Sequence, residues 1–137
     1  MLTLNADVFE WPVRVYVEDT DAGGIVFYVN YLKYMERART EWFRSCGFEK
    51  PALFRESLMF VVHSLNVNYR KPARLDDSLI VTAQLVEPRR TFFIMSQSVF
   101  CGDELLCDAE VKVACVTRDQ IKPSAIPADV RASLWGG

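Results

Sequence analysis

The chain has a single histidine, His63, and four cysteines, Cys46, Cys101, Cys107 and Cys115, none of them at C-x-x-C spacing. Histidines and clustered thiolates are the usual zinc ligands, so no metal site and no bound cofactor is expected. The four thiols read instead as buried small hydrophobes, three of them within strands. G-x-S-x-G is absent, which removes the strained nucleophile elbow of many serine hydrolases. No apolar run approaches the ~18 residues of a membrane span, so no transmembrane segment is expected. The opening MLTLNADVFEWPVR has no basic stretch followed by an apolar one and does not read as a signal peptide. A cytoplasmic protein is expected. A net charge of -2 lacks the broad positive surface that general nucleic-acid binding needs.

What is present reads as one domain spanning residues 1–137, long enough to bury a core. In WPVRVYVE, residues 11–18, Trp11, Val13, Val15 and Val17 alternate with polar or exposed neighbours, the period of a half-buried strand. From Tyr28 to Cys46 the period changes to that of a helix. Tyr31, Leu32, Tyr34, Met35, Ala38, Trp42, Phe43 and Cys46 fill a wide apolar arc, opposite a stripe of Lys33, Arg37, Glu41 and Arg44. Gly47 is placed to end it. Arg39 projects into the arc beside Glu36, and the spacing predicts an ion pair between them.

A short helical stretch is expected over residues 51–57. Four strands follow: one with Val61, His63, Leu65, Val67 and Tyr69 on a common face, one with Leu79, Val81, Ala83 and Leu85, a less regular TFFIMSQSVF, and a clear one from Leu105 to Cys115. The turns KPARLDD, EPRR and CGDE are too short for helical crossovers, so neighbouring strands should be antiparallel. IPADVRASLW predicts a terminal helix with Pro127 near its start. The fold class is α+β, about five antiparallel strands wrapped around one long helix.

EDTDAGGIVFYVNY, residues 18–31, carries the chemistry. Calcium fits poorly: Asp19, Asp21 and Gly24 match positions one, three and six of an EF-hand loop, but Gly23 and Asn30 stand where two main ligands belong. AGGIV lacks both phosphate-loop spacings. A tight turn satisfied by Asp19, Thr20 and Asp21 is one account of the composition. The other is a site. A strand ends in acids, glycines permit close approach, and a helix N-terminus offers unpaired N–H groups and partial positive charge. Such donors stabilise an oxyanion, and a nearby carboxylate acts as nucleophile or base. That combination suits an activated acyl compound such as a thioester. His63, on a strand face among valines and leucines, reads as a core or interface residue.

WPVRVYVEDTDAGGIVFYVNYLKYMERART, PARLDD and KPSAIP resemble the Tol–Pal-associated acyl-CoA thioesterases of the YbgC type and, more distantly, bacterial 4-hydroxybenzoyl-CoA thioesterase, over about Phe9 to Pro127. The resemblance implies the hotdog fold, acyl-CoA as substrate, and a homo-oligomer, dimer or tetramer, in which two sheets join. It implies Asp21 as the catalytic carboxylate and the Tyr28 N–H as the group that polarises the thioester carbonyl. Many members carry histidine at the Tyr28 position, and a phenol near its ordinary pKa of ~10 does not replace it as a base at neutral pH. Only the backbone role carries over. The resemblance also matches Arg89 and Arg90 to a basic pair, expected to meet phosphates of coenzyme A. Arg70, Lys71 and Arg74 form a second basic cluster, of which Lys71 is taken as substrate-binding, while Asp76 and Asp77 beside it suggest turn structure and salt bridges. Phe27, Tyr31 and Phe60 are candidates to line an acyl pocket, aromatic or aliphatic. A reading of another class stays open at this point: a module that binds an acyl carrier protein or an envelope-assembly partner, with vestigial hydrolysis.

Overall fold

The computed structural model describes residues 8–48 and 57–136. Its elements are β1 (Phe9–Arg14), a 3-10 turn (Val17–Asp19), α1 (Val29–Ser45), β2 (Leu58–Tyr69), β3 (Ser78–Pro88), β4 (Phe92–Cys101), β5 (Glu104–Thr117) and α2 (Ala128–Trp135). The expected helical stretch before β2 falls, apart from Ser57, outside the described residues. The strands form one sheet in the order β1-β3-β4-β5-β2, and every neighbouring pair is antiparallel. α1 packs mainly on β3, β1 and β4. The hotdog architecture expected from the sequence is present, with β1 and β2 at the two edges.

α1 begins one residue after Tyr28 and ends one before Cys46. Gly47 takes a left-handed φ of 106°, as its expected place after the last turn requires. Tyr31, Tyr34, Met35, Ala38, Trp42 and Phe43 are buried on the sheet side, and Arg44 pairs with Glu41 on the other. Phe93 on β4 is fully buried and meets Trp42, Phe43, Phe60 and Trp135 at ring distances of 5.9, 6.1, 5.4 and 6.2 Å. Truncating a phenylalanine so enclosed costs about 3–5 kcal/mol. α2, with Pro127 as its N-cap, closes this end through buried Val130 and Leu134.

Three expectations need correction. The first strand stops at Arg14, and Val17 lies 72% exposed in the 3-10 turn that follows. The pleat ends where Val15 instead exchanges backbone hydrogen bonds with Asp76 and Asp77.

The face proposed for β2 does not persist along the strand. Phe60 and Val62 stand opposite buried Cys115 and Val113. The pairing then slips at His63, and Leu65, Val67 and Tyr69 stand opposite Val111, Ala109 and Cys107. His63 is the extra residue of a β-bulge and is exposed. Even on the phase facing the core, Val62, Leu65 and Tyr69 are 42%, 45% and 46% exposed, because α1 covers the other half of the sheet.

Arg39, finally, does not take Glu36 as its hydrogen-bond partner. Its Nη1 donates to Gln97 Oε1 at 2.9 Å. Burial lowers the Arg39 pKa, and the charge of Glu36 acts against that lowering. Gln97 is fully buried and donates from Nε2 to the carbonyls of Met35 and Thr82, tying α1 to β3 and β4. The weaker pattern of TFFIMSQSVF has its cause here: burial alternates cleanly along β4, but one inward position is this glutamine.

Candidate active site

At one end of the sheet lie Arg14, Ser78, the Gly102–Asp103 turn and Tyr69. The EDTD loop is folded onto that end by backbone pairing. Val26 N donates to Ala73 O, Leu75 N to Gly24 O, and Ile25 bridges Arg74. Asp77 closes the supporting turn by accepting from Arg74 N through Oδ2 at 2.9 Å. Asp76, at φ 70°, accepts from Arg14 Nη1 through its carbonyl. The turn role expected for these two acids holds, although their partners among the described residues are backbone groups and Arg14 rather than the side chains of the neighbouring basic cluster.

Asp21 starts a tight reversal. Its N–H donates to Ile25 O, its carbonyl accepts from Gly24 N, and its Oδ1 accepts from Gly23 N at 2.8 Å. Gly24 supplies the φ of +80° that the reversal needs, and a Cβ on Gly23 would stand 3.3 Å from Asp21 Oδ1. The carboxylate is exposed, oriented through one oxygen, and its Oδ2 has no protein partner among the described residues.

Asp19 connects this reversal to the helix. Its carboxylate accepts from Tyr16 N at 2.9 Å, and its carbonyl accepts from both Phe27 N at 3.0 Å and Asn30 Nδ2 at 2.8 Å. The fully buried Tyr34 hydroxyl points at the same residue without closing a well-formed hydrogen bond. Burial first, and then the Asp19 carboxylate, raise the Tyr34 pKa. The first turn of α1 is tightened by Asn30 N to Phe27 O at 2.8 Å and Tyr31 N to Tyr28 O at 3.3 Å. The Tyr28 N–H donates to no group among the described residues, as the first donors of a helix do unless capped.

Beside it opens a pocket of about 260 Å³ lined by Ile25, Val26, Tyr28, Tyr31, Tyr69, Arg70, Lys71 and Pro72. Tyr31 Oη accepts from Ala73 N at 2.8 Å, and its ring meets Tyr69 at 5.7 Å. Burial raises the pKa of both phenols, so at neutral pH they are proton donors and not bases.

The structure thus brings Tyr28 and Lys71 to one pocket, with Asp21 on the loop that supplies Ile25 and Val26. Of the candidate acyl-contacting aromatics only Tyr31 lines it. Phe27 is exposed beside Tyr28, while Phe60 stacks on Phe43 at the far end. Arg89 and Arg90 follow Pro88 at the opposite end of β3, an 11-residue strand, roughly 35 Å away along the pleat. Arg89 is paired there with Glu87. Within one protomer these arginines and the pocket do not meet. Sequence reasoning missed Asn30, whose only signal was a short amide in the first turn of a helix. It weighed Arg70 for phosphate contact only as one of the second basic cluster and singled out Lys71 instead. Among the described residues no cluster of His, Cys, Asp and Glu could hold a metal, and no helix is long and apolar enough to cross a membrane.

The chain as a whole is similar to known proteins. The family model for the thioesterase-like superfamily matches residues 15–134. The acyl-CoA thioester hydrolase YbgC of Escherichia coli O6:H1 is 43% identical over 132 residues, 96% of this chain and 98% of that protein. The acyl-CoA thioesterase YbgC of Haemophilus influenzae is also 43% identical, over 92% of this chain and 93% of its own length. Among solved structures, a probable thioesterase from Bartonella henselae superposes with a TM-score of 0.80 at 31% identity, covering 88% of this chain and 98% of that one.

Proposed function

The chain belongs to the thioesterase-like superfamily, and from that premise we propose that it hydrolyses the thioester bond of an acyl-coenzyme A to the free acid and coenzyme A. The observation that carries the reading is the pairing of an unpartnered Tyr28 N–H with a carboxylate, Asp21, on a loop tied to the same helix end through Asp19. The thioester carbonyl accepts from the Tyr28 N–H, where the α1 dipole favours the negative charge that develops on oxygen. Asp21 Oδ2 then works in one of two ways. It takes a proton from water as the oxygen adds to the carbonyl carbon, and returns that proton to the thiolate when the C–S bond breaks. Alternatively it adds to the carbon itself, expels the thiolate, and leaves an acyl anhydride for water to open. Incorporation of oxygen-18 into Asp21 in a single turnover marks the second route.

Lys71 lines the pocket with its ammonium on the Glu104 carboxylate at 2.6 Å, and meets the negative charge of the substrate only by exchanging that partner. Arg89 and Arg90 serve only a substrate that spans two protomers. That arrangement is consistent with a homo-oligomer, dimer or tetramer, in which two copies of this single domain join sheets at β2, whose outer edge pairs with no strand among the described residues and whose half-exposed Val62, Leu65 and Tyr69 need a cover. An acyl carrier protein offers the same thioester on the same pantetheine arm and is an alternative donor. The cytoplasm is the compartment that supplies either.

Thiol release from short, long and aromatic acyl-CoAs, by wild type and Asp21→Asn in parallel, tests the proposal. Asparagine keeps the shape and most hydrogen bonds but neither attacks nor takes a proton. Turnover is expected to fall at least ~100-fold. Equal turnover by both proteins would remove Asp21 from the chemistry. No turnover on any ester, with an acyl carrier protein retained equally by both, would make the protein a binding module.

A further inference from the structure

We propose that Arg70 is the anion-reading arm of the pocket beside Tyr28 and takes a carboxylate or phosphate of the bound thioester, an assignment that rests on the thioesterase reading above. Arg70 and Lys71 both line this pocket, yet they are held differently. The Lys71 ammonium sits on the Glu104 carboxylate at 2.6 Å. Arg70 engages Asp108 through Nε alone, and its two Nη groups have no protein partner among the described residues. Asp108 is itself fixed, since its other oxygen accepts from Asn68 Nδ2 at 3.1 Å across the β2–β5 ladder. The backbone beneath is also pinned, with Arg70 N and Lys71 N both donating to Leu106 O at 2.8 and 3.1 Å.

A guanidinium gripped along one side keeps the opposite edge of its fork, which matches the two oxygens of a carboxylate or phosphate. Bracing matters because the Arg70 side chain is half-exposed, at 51%, and a free arginine would lose much rotamer freedom on binding. The charges of Arg70, Lys71, Asp108 and Glu104 sum to zero. Attraction at this rim therefore comes from directed N–H groups and not from a broad positive field, so one anion in a defined place is read. An acyl-CoA offers such an anion in two places: the phosphates of its nucleotide, or a carboxylate at the far end of a dicarboxylic acyl group.

The test measures kcat and KM for butyryl- and succinyl-coenzyme A and for the same acyl groups on pantetheine, which carries no phosphate. Arg70→Ala is expected to raise KM about tenfold or more, the loss of a charge-assisted hydrogen bond, only where the anion it reads is present. A rise for both coenzyme A esters and neither pantetheine ester identifies the phosphates. A rise for both succinyl esters and neither butyryl ester identifies the acyl carboxylate. Arg70→Lys, which keeps the charge without the fork, should recover only part of the loss, and Asp108→Ala should give a smaller rise in the same substrates. No change with any ester, or an equal change with all four, overturns the assignment. Absence of turnover by wild type would instead strike the thioesterase reading. In that case calorimetric titration of free coenzyme A and of succinate decides: binding of one of them weakened tenfold by Arg70→Ala supports the role, and unchanged binding of both ends it.

Discussion

Asn30 and Asp19 are joined side chain to backbone, the Asn30 Nδ2 donating to the Asp19 carbonyl at 2.8 Å, with Phe27 N sharing the same acceptor at 3.0 Å. This fork of two donors on one oxygen sets the first turn of α1 against the loop that carries Asp21. Asn30→Ala removes one tine. The helix survives, since its buried arc is unchanged, and stability should fall by about 1 kcal/mol. Turnover should fall more steeply, about tenfold or beyond, because small displacements of positioned groups are costly. Asn30→Asp is the sharper probe: a carboxylate only accepts, so it cannot replace the lost bond. Steady-state kinetics beside thermal melts check both, and an aspartate variant with wild-type kcat would refute the positioning role.

Gln97 satisfies three groups from the middle of β4, the Arg39 guanidinium and the carbonyls of Met35 and Thr82. Gln97→Met keeps the volume and strands a mostly buried cation, so urea unfolding should show a loss of about 3 kcal/mol. Pairing Gln97→Met with Arg39→Met should recover part of that loss, since the stranded charge is then gone.

The thiols divide into two classes. Burial pushes Cys107 up to about 12 and Cys115 up to about 11, and both are fully enclosed, whereas Cys46 and Cys101 are half-buried. Alkylation follows the exposed thiolate. Mass spectrometry of protein alkylated in its native state at mildly alkaline pH should find label on Cys46 and Cys101 first, with Cys107 and Cys115 labelled only after denaturation.

The Arg70 hydrogen bond, aided by Asn68, holds the Asp108 carboxyl below the usual carboxylate range. A depressed pKa means that the folded state binds this proton less readily than the unfolded chain. The stabilisation is therefore complete above the ordinary value, about pH 4, and is lost as pH falls through the lower folded-state value. Between pH 5 and strongly acid solution, about pH 2, wild type should lose more stability than Asp108→Asn, and the two should converge at the acid end. The difference should be small, as for other exposed pairs.

Much of this fold was legible because its signals are local. The helix from Val29 to Ser45, its Gly47 stop, the antiparallel strands and the Pro127 cap each follow from patterns within one element. The run of acids and glycines before a helix start in residues 18–31 was legible as a candidate site, while the choice of Asp21 and Tyr28 within it rests on the family resemblance. Non-local features were not. That β1 pairs with β3 and leaves β2 at the far edge depends on how loops close, which composition does not encode. Arg39 was assigned to Glu36 because helical spacing makes them neighbours, but a cation pressed against a sheet is claimed by whatever polar group faces it, here Gln97. Arg89 and Arg90 looked as close to the site as Lys71 in charge and chemistry, and only the direction of β3 separates them.

The extra residue at His63 has a consequence for how the chain tolerates changes of length. It lies in the open, on an edge, where a missing residue would ordinarily be absorbed. Yet it lets Phe60 and Tyr69 face the same side although nine positions, an odd number, separate them. Shorten the strand there by one, and eight positions, an even number, separate them: plain alternation then still faces Phe60 toward Phe43 and Phe93 and Tyr69 toward Tyr28 and Tyr31. Substitution of His63 by most polar residues should pass unnoticed, and its deletion should straighten the strand while leaving both its folding end and its binding end in place.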